Sequence, residues 1–345
     1  IFFISFVLFI IIFSTTYLHA NAFRVSDIEI SSQFELNFKK SSVIDEGFQI
    51  SFSNLLSMIT TSGDKAIIKN IPIKELKSMI DSFTISDEKF INNEYFAKLE
   101  TTFNKKKILK FLEKKNIFPS IPLRKKVLLI PILVDTENNN IYLFNNNIFY
   151  DRWNDIKKNY HLLEYLLPSE DIEDLNKLQE KSNSIETFDF INLIRKYDLR
   201  DHIILIIYKN KDQIKILSKI NLNNSLKVNN QKYSKLNLNN ETDLNTILEN
   251  LKNTYEDVWK KNNEINTSIK LPLNISIESR DYKKIIKFEE ALANIDLISN
   301  FYILNFNNKH IQYKIIYNGS PKTFFNDMNN RNFELAMENN IWIIK

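Results

Sequence analysis

Three glycines, Gly47, Gly63 and Gly319, are all that 345 residues contain, and this scarcity narrows the possible chemistry more than any other feature. Loops that wrap a phosphate in backbone N–H groups, or lift a nucleophile onto a strained turn, need several glycines at fixed spacing. A P-loop, a G-x-G-x-x-G cradle and a G-x-S-x-G elbow are therefore excluded. Cysteine is absent altogether, which removes disulfides, thiolate metal sites, a cysteine nucleophile and the lipidated cysteine of a lipoprotein. Packing alone must hold the fold. Hydrophobic residues at 43% and charged residues at 26% are ordinary for a soluble globular chain. Lys, Asn, Ile and Phe are abundant in the manner of an AT-rich coding sequence, so aromatic richness and Asn runs do not mark a binding surface.

Ile1 to Phe13 is an unbroken apolar run (IFFISFVLFIIIF), and Ala20-Asn21-Ala22 follows as a small-residue A-x-A site. At about 1.5 Å per residue the run is too short for ~30 Å of hydrocarbon and has the length of a signal-peptide core. The expectation is a secretory signal over residues 1–22, recognised through Ala20 and Ala22 and cut before Phe23, with the periplasm as the address. Left uncut, the same run would anchor the chain in the membrane. Since the sequence opens on Ile1 with neither Met nor a basic stretch, a few preceding residues are expected. The formal net charge of +4 lies wholly outside residues 1–22. So small an excess is a weak pull toward an anionic membrane surface, and export argues against nucleic acid as a partner.

The pattern of apolar residues divides the rest into an N-terminal α+β domain (23–122), a central α/β domain (123–240), a linking helix (241–264) and a C-terminal domain (265–345). In the first, Phe23, Val25, Ile28 and Ile30 alternate with one slip, as in a strand. Ile44, Phe48, Phe52, Leu55, Leu56 and Ile59 form a helical stripe that Ser62-Gly63 is expected to end. Two extended runs around Asn92-Asn93-Glu94 predict a β-hairpin, with Tyr95, Ala97, Leu99, Thr101 and Phe103 on one face. The central domain opens with Val127 to Val134 (VLLIPILV), expected of a strand buried on both faces; Pro131 within it lacks a donor, so the strand should be at an edge, near a bulge or unpaired on that side. Asn221 to Asn240 reads as a ragged hairpin or a surface loop. The linking helix carries a stripe of Leu244, Ile247, Leu248, Leu251, Tyr255, Val258 and Trp259, with Lys and Asn opposite. The last domain alternates strand and helix as βαββαβ, the ferredoxin-like order. The fold class expected is α+β, built of tandem small α/β domains.

Several phrases then resemble one family. Gly47-Phe48 through Leu55-Leu56 and Ile59-Thr60, Ser86-Asp87-Glu88, Tyr95-Phe96-Ala97-Lys98-Leu99 to Phe103-Asn104, and Leu128-Leu129-Ile130-Pro131 are similar to the domain-of-unknown-function 2066 family of Gram-negative envelope proteins. Leu167 to Leu175 (LPSEDIEDL) and Arg195-Lys196-Tyr197 agree with it. The family's N-P-W-x-x-x-W phrase survives only as Asn147-Ile148-Phe149-Tyr150-Asp151-Arg152-Trp153, without its proline and first tryptophan. The resemblance covers most of the chain after residue 22, but rests on packing positions rather than chemical ones. It implies an exported protein with no catalytic residues to carry across. The helix and hairpin of the first domain are also similar to small periplasmic domains of flagellar and Tol-system factors, by fold analogy alone.

Candidate sites are few. His161, His202 and His310 are far apart and lack H-x-x-x-H or H-E-x-x-H spacing, so they read as structural or surface residues rather than zinc ligands. Glu170, Asp171, Glu173 and Asp174 are the densest acidic group and read as a dipole-matched helix start. Trp153, Trp259 and Trp342 sit on apolar stripes and read as core. Lys106, Lys107, Lys110 and Lys114 form a basic face that anionic headgroups or an acidic protein surface would attract. No cofactor is expected. The function expected is a non-catalytic structural or adaptor role in envelope assembly or maintenance, with envelope proteins as partners. The alternatives are a hydrolase of envelope polymer using acidic residues, and a periplasmic small-ligand binding protein with a cavity at a domain junction.

Overall fold

The computed structural model describes residues 23–345 apart from 69, 212, 267, 268, 296, 339, 340 and 345. Ala20 and Ala22, and with them the expected signal segment, lie outside the described residues; Phe23 is the first within them, buried, its carbonyl accepting from Phe103 N–H. The fold is α+β. Among the described residues no helix is long and apolar enough to cross a membrane. Two compact units are present, and each is described by itself.

The first unit takes residues up to Leu55 and Ile71–Lys105. Strands β1 (Arg24–Gln33), β2 (Ile80–Ile91) and β3 (Glu94–Phe103) pair antiparallel in the order β1-β3-β2. The slip in the β1 alternation is a β-bulge: the register to β3 shifts between Val25 and Ile28, and Asp27 takes a φ of 57°. Ser86-Asp87-Glu88 is a second one, with Asp87 at φ 54°. Asn92 and Asn93, at φ 50° and 62°, make the two-residue turn of the β2–β3 hairpin, the left-handed pair that suits strand twist. None of the described glycines has a positive φ, so Asn and Asp occupy nearly all of these turn positions. Helix α1 (Lys40–Ile59) packs on the sheet, where Tyr95, Ala97, Leu99, Thr101 and Phe103 are all buried. The approach is close. A methyl on Gly47 would stand 2.6 Å from Leu99 Cδ2 and 2.9 Å from Ile30 Cγ2, so glycine lets the helix come this close without moving those side chains.

The second unit takes Leu56–Asn70 and Lys106–Lys345. Ser62-Gly63 does not leave the chain in a loop: it opens the short helix α2 (Ser62–Ile67), because Thr61 Oγ1 accepts from Asp64 N–H as an N-cap. Helix α3 (Ile73–Ser78) belongs to the first unit, and α4 (Lys105–Lys114) leads into the central sheet. That sheet runs β5 (Asn140–Tyr142), β4 (Lys125–Asp135), β7 (His202–Asn210), β8 (Gln213–Leu222), β9 (Ser225–Ser234), with β6 (Leu163–Leu166) also on β4. Strand β4 is parallel to β6 and β7. One face of β4 and β7, including Leu129 and Leu205, packs under Leu244, Leu248, Leu251 and Tyr255 of the long helix α8 (Glu241–Asn262). The other, including Ile130 and Ile206, packs under α6 (Ile172–Glu180), a 3-10 turn and α7 (Ile191–Arg195). Cover on both faces is why these strands are continuous apolar runs.

Pro131 sits where a missing donor costs nothing. Strand β6 pairs with β4 only as far as Leu128, and β5 begins at Leu133, so the side that Pro131 turns away from β7 has no strand. Asn147 fills this gap: its Nδ2 donates to the carbonyls of Pro131, Tyr142 and Leu143, while its Oδ1 caps helix α5 (Ile148–Arg152) at Phe149 and Tyr150 N–H. The Asn-rich stretch after β8 is regular rather than ragged: β8 and β9 pair along their length around Asn223 and Asn224, at φ 53° and 60°.

The C-terminal elements are β10 (Leu271–Glu278), α9 (Tyr282–Asn294), β11 (Ile298–Phe306), β12 (His310–Tyr317), α10 (Pro321–Asn329), β13 (Leu335–Glu338) and β14 (Ile341–Ile344). Their sheet order is β11-β12-β10-β14-β13, antiparallel except for β10 with β14. The βαββαβ succession is thus followed by one strand more. Strand β13 lies at the edge and the chain turns back as β14 to fill the place beside β10. Phe288, Leu292, Phe324 and Met328 of the two helices cover Ile275, Tyr313, Ile315 and Tyr317.

Candidate functional site

Lys106, Lys107, Lys110 and Lys114 stand on the exposed face of α4, whose other face buries Ile108, Leu109, Phe111 and Leu112. Three of the four acidic residues, Asp171, Glu173 and Asp174, are held in ion pairs. Asp171 caps α6, Lys196 Nζ reaches Asp171 and Asp174 at 2.7 Å each, and Lys177 pairs with Glu173 at 2.6 Å. These three carboxylates are neutralised at a helix start rather than directed together at a substrate. Trp153 and Trp259 are buried and Trp342 packs at the rim of the C-terminal core.

The linking helix departs from its expected pattern. Lys252, Glu256 and Lys260 are only 3%, 3% and 6% exposed, although a binary reading places lysine on the solvent side. Their four-residue spacing continues the row begun by Leu244 and Leu248, and that continuation was the available signal. Leu162 and Leu163 N–H each donate to Glu256 Oε1 at 2.8 Å, which ties the start of β6 to α8; burial pushes the Glu256 carboxyl up. Lys252 donates to the Ile156 carbonyl and lies over the rings of Trp153 and Tyr165 at 5.5 and 5.6 Å. Burial pulls it down to about 8.

Beside this row is a cavity of about 470 Å³, lined by Ser57, Lys65, Tyr160, His161, Glu256 and Lys260 among others. Lys65 Nζ donates to Ser57 Oγ at 2.6 Å and lies 5.9 Å from the Tyr160 ring centre. Burial, and then the charge of Lys260, pulls Lys65 down. Asp257 is engaged by Ser62, through both its N–H and its hydroxyl. The Lys260 ammonium makes no hydrogen bond or ion pair within the described residues; burial pulls it down, opposed by the charges of Glu256 and Asp257.

His161, foreseen as structural, lines this cavity. Burial first, then the charges of Lys252, Lys260 and Lys158, pull it from 6.5 to about 4. The folded chain therefore holds it neutral where an unfolded chain takes a proton. Its contribution to stability is complete above about pH 6.5 and is lost as the pH falls through about 4. Allowing for its partial exposure, up to about 2 kcal/mol is expected to disappear across that window. Urea unfolding at stepped pH checks this, and His161→Gln should flatten the slope.

A second feature lies at the sheet edge of the C-terminal elements. Strand β11 is an edge strand whose Tyr302, Ile303, Leu304 and Phe306 are 45%, 51%, 52% and 66% exposed. Ile303 and Phe306 pair with Tyr313 and Ile311 of β12, which are buried. The cover over β12 therefore stops short of β11, and both faces of this strand present apolar side chains beside an unpaired backbone edge.

No protein-family model matches the chain, and no curated protein is similar to it.

Proposed function

We propose that this chain is an exported, non-catalytic interaction protein of the bacterial envelope, an adaptor in its assembly or maintenance that holds a protein partner along β11. The carrying observation is the open edge of β11, apolar on both faces. Natural proteins blunt such edges with lysine, proline, short strands or bulges; β11 has no lysine or proline over nine residues, and its two register shifts against β12 are the one such device it carries. An extended partner segment added to that edge would gain main-chain hydrogen bonds and bury Tyr302, Ile303, Leu304 and Phe306. Export is supported by the apolar run and A-x-A site at residues 1–22, and the envelope by the resemblance of its packing phrases to exported proteins of domain-of-unknown-function 2066. The pairing of Asp171, Glu173 and Asp174 with lysines favours this role over polymer hydrolysis.

The test is affinity recovery of the tagged chain from gently crosslinked envelopes, beside a double variant Ile303→Lys, Phe306→Lys. Both side chains are exposed, so the variant should fold with little change in stability. It should lose the partner that the unsubstituted chain brings down. A partner retained by the double variant, or none recovered with either chain, would overturn the proposal.

A further inference from the structure

The cavity beside α8 has an imbalance that the fold does not resolve by itself. Lys260 is 6% exposed as a residue, its ammonium makes no hydrogen bond or ion pair among the described residues, and it lines the cavity. A charge removed from water is costly unless paired or hydrogen-bonded. The two carboxylates in the wall, Glu256 and Asp257, favour the Lys260 charge but are not hydrogen-bonded to it: Asp257 accepts from Ser62, and Glu256 Oε1 from two backbone N–H groups. Glu256 Oε2 is buried without a hydrogen-bond partner among the described residues. A second ammonium, Lys65, lines the same space and donates to the Ser57 hydroxyl.

We propose that this cavity binds a small organic oxyanion, its charged group seated on Lys260 and Lys65 and its body against Tyr160. This goes beyond the adaptor reading and does not depend on it. The volume of about 470 Å³ falls in the ~300–1,000 Å³ range of ligand pockets. The shared chemistry is a carboxylate or phosphate oxygen set accepting from two ammonium groups, which charge-assisted hydrogen bonding favours. The Tyr160 ring supplies an apolar wall, so an anion carrying a ring or short apolar body should be preferred to a bare ion. Neutral His161, whose Nδ1 accepts from Lys158 N–H, adds an Nε2–H donor.

The experiment follows the thermal unfolding midpoint of the whole chain against inorganic phosphate and phenyl phosphate, with ionic strength held constant by sodium chloride. A ligand that binds only the folded state raises the midpoint as its concentration passes Kd. Saturable increases are expected for both, with phenyl phosphate acting at about tenfold lower concentration. Lys260→Met removes the charge while keeping a flexible apolar side chain of similar length; because that charge also faces Glu256, some loss of stability is expected, and, measured against the variant's own ligand-free midpoint, either probe should bind at least about tenfold more weakly. A second readout needs no variant: amide resonances of residues 57–65 and of Tyr160 and His161 should shift on adding phenyl phosphate, and those of β12 should not. Absence of a saturable shift with either probe, an unchanged response in Lys260→Met, or resonance changes confined to other surfaces would each overturn the proposal.

Discussion

Replacing Glu256 by alanine should lower the unfolding free energy by about 3–5 kcal/mol, the cost of breaking a buried charged cluster by removing one partner. The residue is buried on α8 and its Oε1 is the acceptor for Leu162 and Leu163 N–H, both at 2.8 Å. Alanine leaves two buried donors without an acceptor, and also removes the negative charge that favours the charged forms of Lys252 and Lys260. Glu256→Gln keeps an acceptor oxygen for the two N–H groups while losing the charge, so it should cost only about 1–2 kcal/mol. Urea unfolding with a common slope for all three proteins measures the difference. If Gln and Ala were equally damaging, the charge rather than the backbone link would be what matters.

Asn147→Ala is the second large effect, expected at about 3 kcal/mol. One buried side chain serves five backbone groups here: three carbonyls, from Pro131, Tyr142 and Leu143, and two N–H groups, of Phe149 and Tyr150. The loss combines an N-cap with the donor that covers the unpaired side of β4. Asn147→Asp separates the two. Aspartate is an equally good cap, but it would set a carboxylate against three carbonyl oxygens and should be at least as destabilising as alanine. An Asp variant as stable as the unsubstituted chain would reduce Asn147 to a capping residue.

These two residues also show where sequence reasoning succeeds and where it stops. Alternation in Tyr95, Ala97, Leu99, Thr101 and Phe103 identifies the buried face of β3 because a strand's side chains repeat every two residues. The slip near Val25 has a structural cause in the bulge at Asp27, and Pro131 marks a stretch of β4 with no neighbour on one side. Asn147 was visible as part of a phrase, but its work was not, since its partner Pro131 stands sixteen residues earlier and is brought near only by the sheet. Lys252, Glu256 and Lys260 were hidden for a different reason. Patterning assigns charged residues to solvent, whereas long side chains can bury their stems and find partners in a loop such as Ile156 to Leu163. Glu256 and Lys260 line a cavity within the second unit, which the sequence pattern alone does not place. The α+β class was legible; the return of β14 between β10 and β13 needed pairing over a distance that local patterns do not carry.

The adaptor proposal turns on which surface meets the partner. Recovery from crosslinked envelopes should therefore compare three tagged chains: the unsubstituted protein, the β11 double variant Ile303→Lys, Phe306→Lys, and a charge reversal of the exposed α4 row, Lys106→Glu, Lys110→Glu, Lys114→Glu. The account predicts the same partner from the unsubstituted and α4-reversed chains and its loss from the β11 variant. Loss with the α4 reversal and retention by the β11 variant would contradict it and move the contact to the basic helix.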